Sequence, residues 1–265
     1  MHDQALTLVR MEPRLAAGLG KGFQLELAVP IDLKVATIEY TLPDGSSFTP
    51  PYGEFHHRNE TLFGLGDLRL QLAAHRRVGS TPLLLGARVG LALPTGKTEE
   101  DPFEAAAGGQ EHQHLQFGNG TVDPLVGVEL VLQGKPVGML GAFSGRFPLY
   151  ANPKGYRGSI QLSAQLGPVF RPPEPLDKLQ FLVLANATWM SAEYWNGTEG
   201  ENSGLGTIGA SVGAGWQISP QFLLSGMVRF RIREFAQGAQ FQQPVTGTIG
   251  LSGFFNAPHG KHPED

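Results

Sequence analysis

From Phe23 to Val35 the chain runs Phe-Gln-Leu-Glu-Leu-Ala-Val-Pro-Ile-Asp-Leu-Lys-Val, with an apolar side chain at every odd position: Phe23, Leu25, Leu27, Val29, Ile31, Leu33 and Val35. Successive side chains of a strand point to opposite faces, so such a segment offers one face to an apolar phase and the other, acids and bases included, to water. The alternation recurs between turn signals along the whole chain, near residues 5–20, 22–41, 61–77, 82–95, 113–133, 136–149, 157–171, 178–190, 203–218, 221–233 and 244–255. No long helical period competes with it. The connections alternate in length. Lys21-Gly22, Val78 to Thr81, Gly134-Lys135-Pro136, Pro172 to Leu176 and Ser219-Pro220 are tight turns, and the rest are long loops. Short turns at one end and long loops at the other are expected of an up-and-down barrel in an outer membrane, whereas a Greek-key sandwich has no reason to keep that asymmetry. The predicted fold is all-β, an up-and-down antiparallel transmembrane β-barrel. Its eleven strands occupy residues 1–255 as one domain, and 256–265 form a polar tail.

Aromatic placement is an independent test, because Trp, Tyr and Phe gather at both membrane interfaces in outward positions. Extending the strand parity puts Phe23, Phe170, Phe181, Trp216, Phe222 and Phe255 at the short-turn end, and Phe117, Phe147 and Trp189 at the long-loop end. All nine fall on the apolar face, given one parity slip at Gly118-Asn119-Gly120. A soluble sandwich, the competing reading, would gather large aromatics mid-strand where its core is deepest.

Composition agrees with a barrel. The 36 glycines lie inside the alternating segments as well as between them, which suits a curved sheet. Cysteine is absent, which removes disulfides, thiolate metal sites and Cys nucleophiles. A net charge of −4 is unlike the basic footprint of a nucleic-acid binder. No apolar run approaches the roughly 20 residues of a membrane helix. Mean hydropathy is −0.12, as expected where half of each strand faces a polar lumen.

Three motifs, Gly64-Leu65-Gly66-Asp67-Leu68, Leu93-Pro94-Thr95-Gly96 and Phe117-Gly118-Asn119-Gly120-Thr121-Val122-Asp123-Pro124, stand out in order and spacing. With them the chain resembles an outer-membrane protein family named after the meta-cleavage pathway of phenol degradation, from about Pro13 to Phe255, with Asn119 where that pattern has Thr. The resemblance implies an outer-membrane channel or transporter, often taken to admit hydrophobic or aromatic compounds.

The lumen is where chemistry is expected. Inward positions on the first five strands mix acids and bases, among them Glu26, Asp32, Asp67, Arg69, Arg88, Asp123 and Glu129. From Val137 onward the inward charges are Arg146, Arg157, Arg171, Lys178, Arg229, Arg231 and Arg233, with no inward acid, which makes one wall basic. Unlike walls across a narrow lumen orient polar solutes, and an excess of Arg favours anions. The plain alternative is a salt-bridged plug. Eleven or twelve strands leave a pore between the filled interior of about eight and the open channel of about sixteen.

Other features carry less. Acidic loop residues Glu99, Glu100, Asp101 and Glu104, and Glu193, Glu199 and Glu201, suit either solvation or divalent cations beside lipopolysaccharide. His56, His57, His112 and His114 lie in or beside loops at one end without a helical metal spacing, and His259 and His262 lie in the tail; no metal or cofactor is assigned. Gly90 to Thr98 ends in Gly-Lys-Thr but has the wrong spacing for a phosphate-binding loop. The Asn-x-Thr triplets at Asn59, Asn119, Asn186 and Asn196 carry little weight in a bacterial protein. The expected function is a small-molecule channel for anionic or aromatic and hydrophobic compounds, in contact with membrane lipid and lipopolysaccharide. A barrel lipid hydrolase is disfavoured because His75 is inward and far from any paired Ser. A plugged barrel that serves as a binding scaffold is the other alternative.

Barrels of this class keep both termini in the periplasm, which requires an even strand count. Met1-His2-Asp3-Gln4 also opens without a basic n-region or apolar h-region. The expectation is an upstream coding segment that supplies a signal peptide for outer-membrane delivery and a twelfth strand, pairing with 5–20 and 244–255.

Strand parity makes a direct prediction for the pair Leu27 and Gln24. Leu27→Arg, placing a charge near the bilayer midplane, should weaken folding into lipid by about 2 to 4 kcal/mol, while Gln24→Arg is tolerated. Equal effects of the two on urea-dependent refolding into vesicles would reverse the orientation assigned to this strand.

Overall fold

The structure is a computed structural model, in which residues 2–49, 59–109, 115–238 and 241–255 are described. In chain order the strands are β1 (His2–Met11), β2 (Arg14–Gly20), β3 (Phe23–Ala28), β4 (Ile31–Tyr40), β5 (Glu60–Leu65), β6 (Leu68–Arg77) and β7 (Leu83–Leu93). A short helix, α1 (Pro102–Ala107), precedes β8 (Asp123–Leu132), β9 (Val137–Arg146), β10 (Tyr156–Arg157) and β11 (Gln161–Phe170). There follow β12 (Leu179–Met190), β13 (Tyr194–Trp195), β14 (Thr198–Glu199), β15 (Leu205–Ser219), β16 (Phe222–Ala236) and β17 (Val245–Gly253).

Eleven of these form one antiparallel sheet in the order β17-β16-β15-β12-β11-β9-β8-β7-β6-β3-β2, and each corresponds to one alternating segment of the sequence. Among the described residues no ladder joins β2 to β17. A three-stranded sheet, β1-β4-β5, prolongs β2, β3 and β6 at the long-loop end. The three breaks share one level, at Glu12-Pro13, Val29-Pro30 and Gly66-Asp67; at the first two, Pro lacks the N–H that a ladder needs. Pairing nevertheless crosses the breaks, with Val29 N–H donating to Pro13 O at 3.0 Å and Gly66 N–H to Pro30 O at 2.9 Å.

The third break also shifts parity. Ala28 faces Arg69 and Ile31 faces Leu65, so residues 29–30 oppose residues 66–68. One extra residue in a strand is a bulge, and a bulge re-aims the side chains beside it. Asp67 is thereby carried to the inner face together with Arg69 and Gln71.

The outer face of the sheet is apolar over its whole height. Leu70, Val89, Val128, Leu166, Val183, Val212 and Ile249 stand exposed on it, Ile249 at 86%. A soluble monomer rarely leaves so continuous an apolar surface bare, whereas lipid accepts it. Phe23, Phe170, Phe181, Trp189, Trp216, Phe222 and Phe255 are exposed near the strand ends. Phe147 is half-buried, its ring lying where a Cβ on outward-facing Gly145 would contact it at 2.7 Å. The inner face divides by height. Towards the turns Val169 and Leu184 are buried, Leu184 at 2% exposure, and Leu182 folds across Gly213. Towards the loops the inward side chains are polar or charged.

Candidate functional site

The three sequence motifs meet at one point on the inner wall. Arg146, the last residue of β9, donates through Nε to Asp123 Oδ2 at 2.7 Å and through a terminal nitrogen to Asp67 Oδ2 at 2.6 Å. The two carboxylates are buried, Asp67 at 4% exposure and Asp123 at 0%. Asp67 also accepts from the backbone N–H of Gly96 at 3.1 Å and of Asn119 at 2.9 Å. Asp123 accepts from Asn119 Nδ2 at 2.8 Å and from the Thr121 hydroxyl at 2.6 Å. Thr95 completes the junction by accepting from Leu68 N–H and donating to Gly66 O, at 3.0 and 2.8 Å. With three hydrogen bonds to each carboxylate, charge-assisted contacts of this kind offset most of what burial takes from these charges.

Glycine at two of these positions is a matter of space. A Cβ on Gly118 would lie 2.1 Å from Asp67 Oδ1, and one on Gly96 would lie 2.6 Å from Gly118 N. The segment 115–122 is thus drawn against the inner wall rather than continuing β8 upward. Lys34 holds its other side, donating to Gln116 O at 2.5 Å with its ammonium 4.6 Å from the centre of the Phe117 ring.

Below and beside this junction the inward charges close into clusters. Arg10 and Asp32 form a two-bond pair at 2.7 and 2.8 Å. Glu12 is shared between Arg14 and Arg69. Arg88 bridges Glu26 at 3.2 Å and Glu129 at 2.9 Å. Arg10, Arg14, Glu26, Arg69, Arg88 and Glu129 of these clusters line one side of a cavity of about 920 Å³. The facing wall, from β11 to β17, is mostly neutral: Gln161, Ser163, Gln165, Asn186, Thr188, Thr207 and Thr246. Ser163 shares a hydrogen bond with Ser144, and Thr188 with Thr207, at 2.9 and 2.6 Å. Two arginines stand on that wall. Arg231 pairs with Glu234; Arg229 has neither an ion pair nor a hydrogen bond among the described residues.

Several expected site residues lie elsewhere. The wall from β9 onward is not purely basic, because a register shift opposite Ile208/Gly209 reverses parity within β16. Glu234 therefore joins the cavity lining, while Arg233 stands exposed with its guanidinium 4.8 Å from the centre of the Phe235 ring. Arg146 belongs to the acidic side through its two carboxylates. Arg157 leaves the wall altogether, since residues past Phe147 build the small sheet β10-β13-β14, where its guanidinium stacks 4.2 Å from the Tyr194 ring centre. Arg171 follows the end of β11 at the turn side and does not line the cavity. Phe117 is not on the lipid face; it lies inside, against Gly64 and under Lys34, because 115–122 is loop and not strand.

The loop acids have local partners. Asp101 caps α1 by accepting from Phe103 and Glu104 N–H, and also accepts from Asn196. Glu99 pairs with Lys97 and Glu100 with Lys154. The Tyr156 phenol donates to Glu193 at 2.9 Å, and burial, reinforced by that carboxylate, pushes its pKa well above the usual value. Among the described residues no group of three or more His, Asp or Glu is placed to hold a metal. His56, His57, His112, His114, His259 and His262, and the tail 256–265, lie outside the described residues.

Glu234 and Tyr156 do not stand out in the sequence. Only Glu234 left a trace there: the apolar positions move from Phe230 and Ile232 to Phe235, which marks the shift in parity.

No family model matches the chain, and no curated protein matches it. Among solved structures it is similar to the crystal structure of an outer membrane channel from Pseudomonas putida F1, with a TM-score of 0.62 at 15% identity, covering 95% of this chain and 85% of that one. It is also similar to OmpT, in-vitro folded, an outer membrane protein of Vibrio cholerae in trimer form, with a TM-score of 0.38 at 8% identity over 95% and 97% of the two chains. That second likeness is too weak to carry an argument. The first defines the class of fold, an outer-membrane β-barrel, in agreement with the apolar outer face.

The junction predicts a large cost for removing its cation. Arg146→Met leaves Asp67 and Asp123 buried without a counter-charge and should destabilise the folded barrel by about 3 to 5 kcal/mol. Arg146→Lys should recover only part of this, since a point charge cannot fork between two carboxylates. Urea midpoints of refolding measure both, and an unchanged midpoint for Arg146→Met would show that the junction holds nothing together.

Proposed function

We propose that this protein is an outer-membrane channel for small polar solutes, with anions favoured, and that it is allied to the phenol-pathway family that its motifs resemble. The observation that carries the reading is the contrast of its two faces: a continuous apolar exterior around a cavity of about 920 Å³ lined by polar and charged groups. Such a cavity inside a barrel serves passage or retention of a solute, because structural packing alone would fill it with apolar side chains. Lipopolysaccharide and membrane lipid are the partners of its outer face.

The arginines split between two tasks. Arg10, Arg14, Arg69, Arg88 and Arg146, which line the cavity, are spent on carboxylates, so they shape and rigidify the wall. Arg229 keeps its charge for the solution in the lumen, which favours anions over cations along that side. A second reading, a plugged barrel that acts as a binding scaffold, draws on the inward fold of 115–122 and on the buried Val169 and Leu184 below the cavity.

Planar-bilayer recording separates the two. The channel reading expects steady ohmic steps from purified, folded protein, and a reversal potential in a salt gradient on the anion side. Arg229→Glu should move that potential towards cation selectivity. Silence from protein that is demonstrably folded would leave the scaffold, and steps whose selectivity ignores Arg229→Glu would place the conduction path elsewhere.

A further inference from the structure

We infer that the neutral wall carries a binding subsite for a small monocarboxylate, centred on the guanidinium of Arg229. The inference rests on the lumen being a solute path and specifies which solutes pause in it. Every other arginine that lines the cavity, namely Arg10, Arg14, Arg69, Arg88, Arg146 and Arg231, has a carboxylate partner. Arg229 lines the same cavity with no acceptor for any of its N–H donors among the described residues. The nearest acid along its own strand, Glu234, is engaged by Arg231.

Its surroundings fit a carboxylate. Arg229 is paired in register with Thr246 on β17, which lines the same cavity, and with Ser211 on β15, which is buried and accepts from Asn186 at 2.9 Å. Gln165 lies further round the wall, opposite Asn186, and its amide also lines the cavity without a partner among the described residues. A planar guanidinium fork matches a carboxylate with two parallel hydrogen bonds, and the Thr246 hydroxyl on the neighbouring strand can donate to a remaining lone pair. The charge balance selects the class of anion. One unpaired cation among neutral groups neutralises one negative charge, so a dianion would bring an uncompensated charge into a lumen already lined by carboxylates opposite.

Titration calorimetry on the detergent-folded protein, with butyrate and inorganic phosphate as probes, tests this without requiring conduction. Butyrate should bind saturably at neutral pH, at least tenfold more tightly than phosphate. Arg229→Gln should weaken butyrate at least tenfold, the loss expected for one charged hydrogen-bonding partner, while Arg229→Lys should restore part of it. Heat-modifiable migration on gels reports that each variant is folded. Absence of saturable butyrate binding by the wild-type protein, unchanged binding by folded Arg229→Gln, or phosphate binding as tight as butyrate would each overturn the subsite. Butyrate binding with no conductance would retain the subsite and remove the channel; conductance without butyrate binding would do the reverse.

Discussion

The inner wall is organised around one arginine and two carboxylates. Arg146 reaches from the end of β9 to Asp67 at the bulge before β6 and to Asp123 at the start of β8, so a single side chain links three strands of the sheet. The carboxylates have almost no water to fall back on, which makes them strict about geometry. They recruit backbone N–H groups from Gly96 and Asn119, and those contacts draw two otherwise separate loop segments onto the wall. Had Arg146 been absent, burial of two like charges so close together would be prohibitive, and the 115–122 segment would have no reason to fold inward.

The bulge at Gly66-Asp67 and the register shift in β16 act in the same way on opposite sides of the lumen. Each inserts one residue and turns an acid inward: Asp67 towards Arg146, and Glu234 towards Arg231. A barrel with uninterrupted parity would have left Asp67 pointing into lipid, where a charge is costly. The irregularities are therefore what allow a charged side chain next to an apolar run without exposing it to the bilayer.

Much of this was legible in the sequence, and the failures fall at inserted residues and at loop segments. Alternation has period two, so it locates strands and faces wherever pairing is regular; all eleven segments became ladder strands. It also led to the inward placement of Glu26, Arg69, Arg88 and Glu129. The method fails at an inserted residue, since one residue inverts every assignment beyond it. Arg233 was misplaced for that reason, beyond the shift in β16. Phe117 was misplaced for another: Gly118, Asn119 and Gly120 carry no alternation at all, and the segment follows Asp67 and Lys34 rather than a strand neighbour. Which ion pairs form was not legible, because they join residues as far apart in sequence as Asp67 and Arg146, and only the lateral order β9-β8-β7-β6 of the sheet brings those together.

The two halves of the lumen differ in how their charge can respond to a solute. On the side of β1 to β9 each guanidinium that lines the cavity is already held by a carboxylate, and a passing ion would have to compete with hydrogen bonds such as the 2.7 Å ones of Arg10 and Arg146. That competition is unfavourable because the protein's own anion is fixed in place and a solute must surrender hydration and freedom to displace it. On the side of β11 to β17 hydroxyls and amides offer hydrogen bonds without charge, and Arg229 supplies charge without a competitor. Selectivity should therefore depend less on the number of arginines in the lumen than on the one whose field the protein does not cancel.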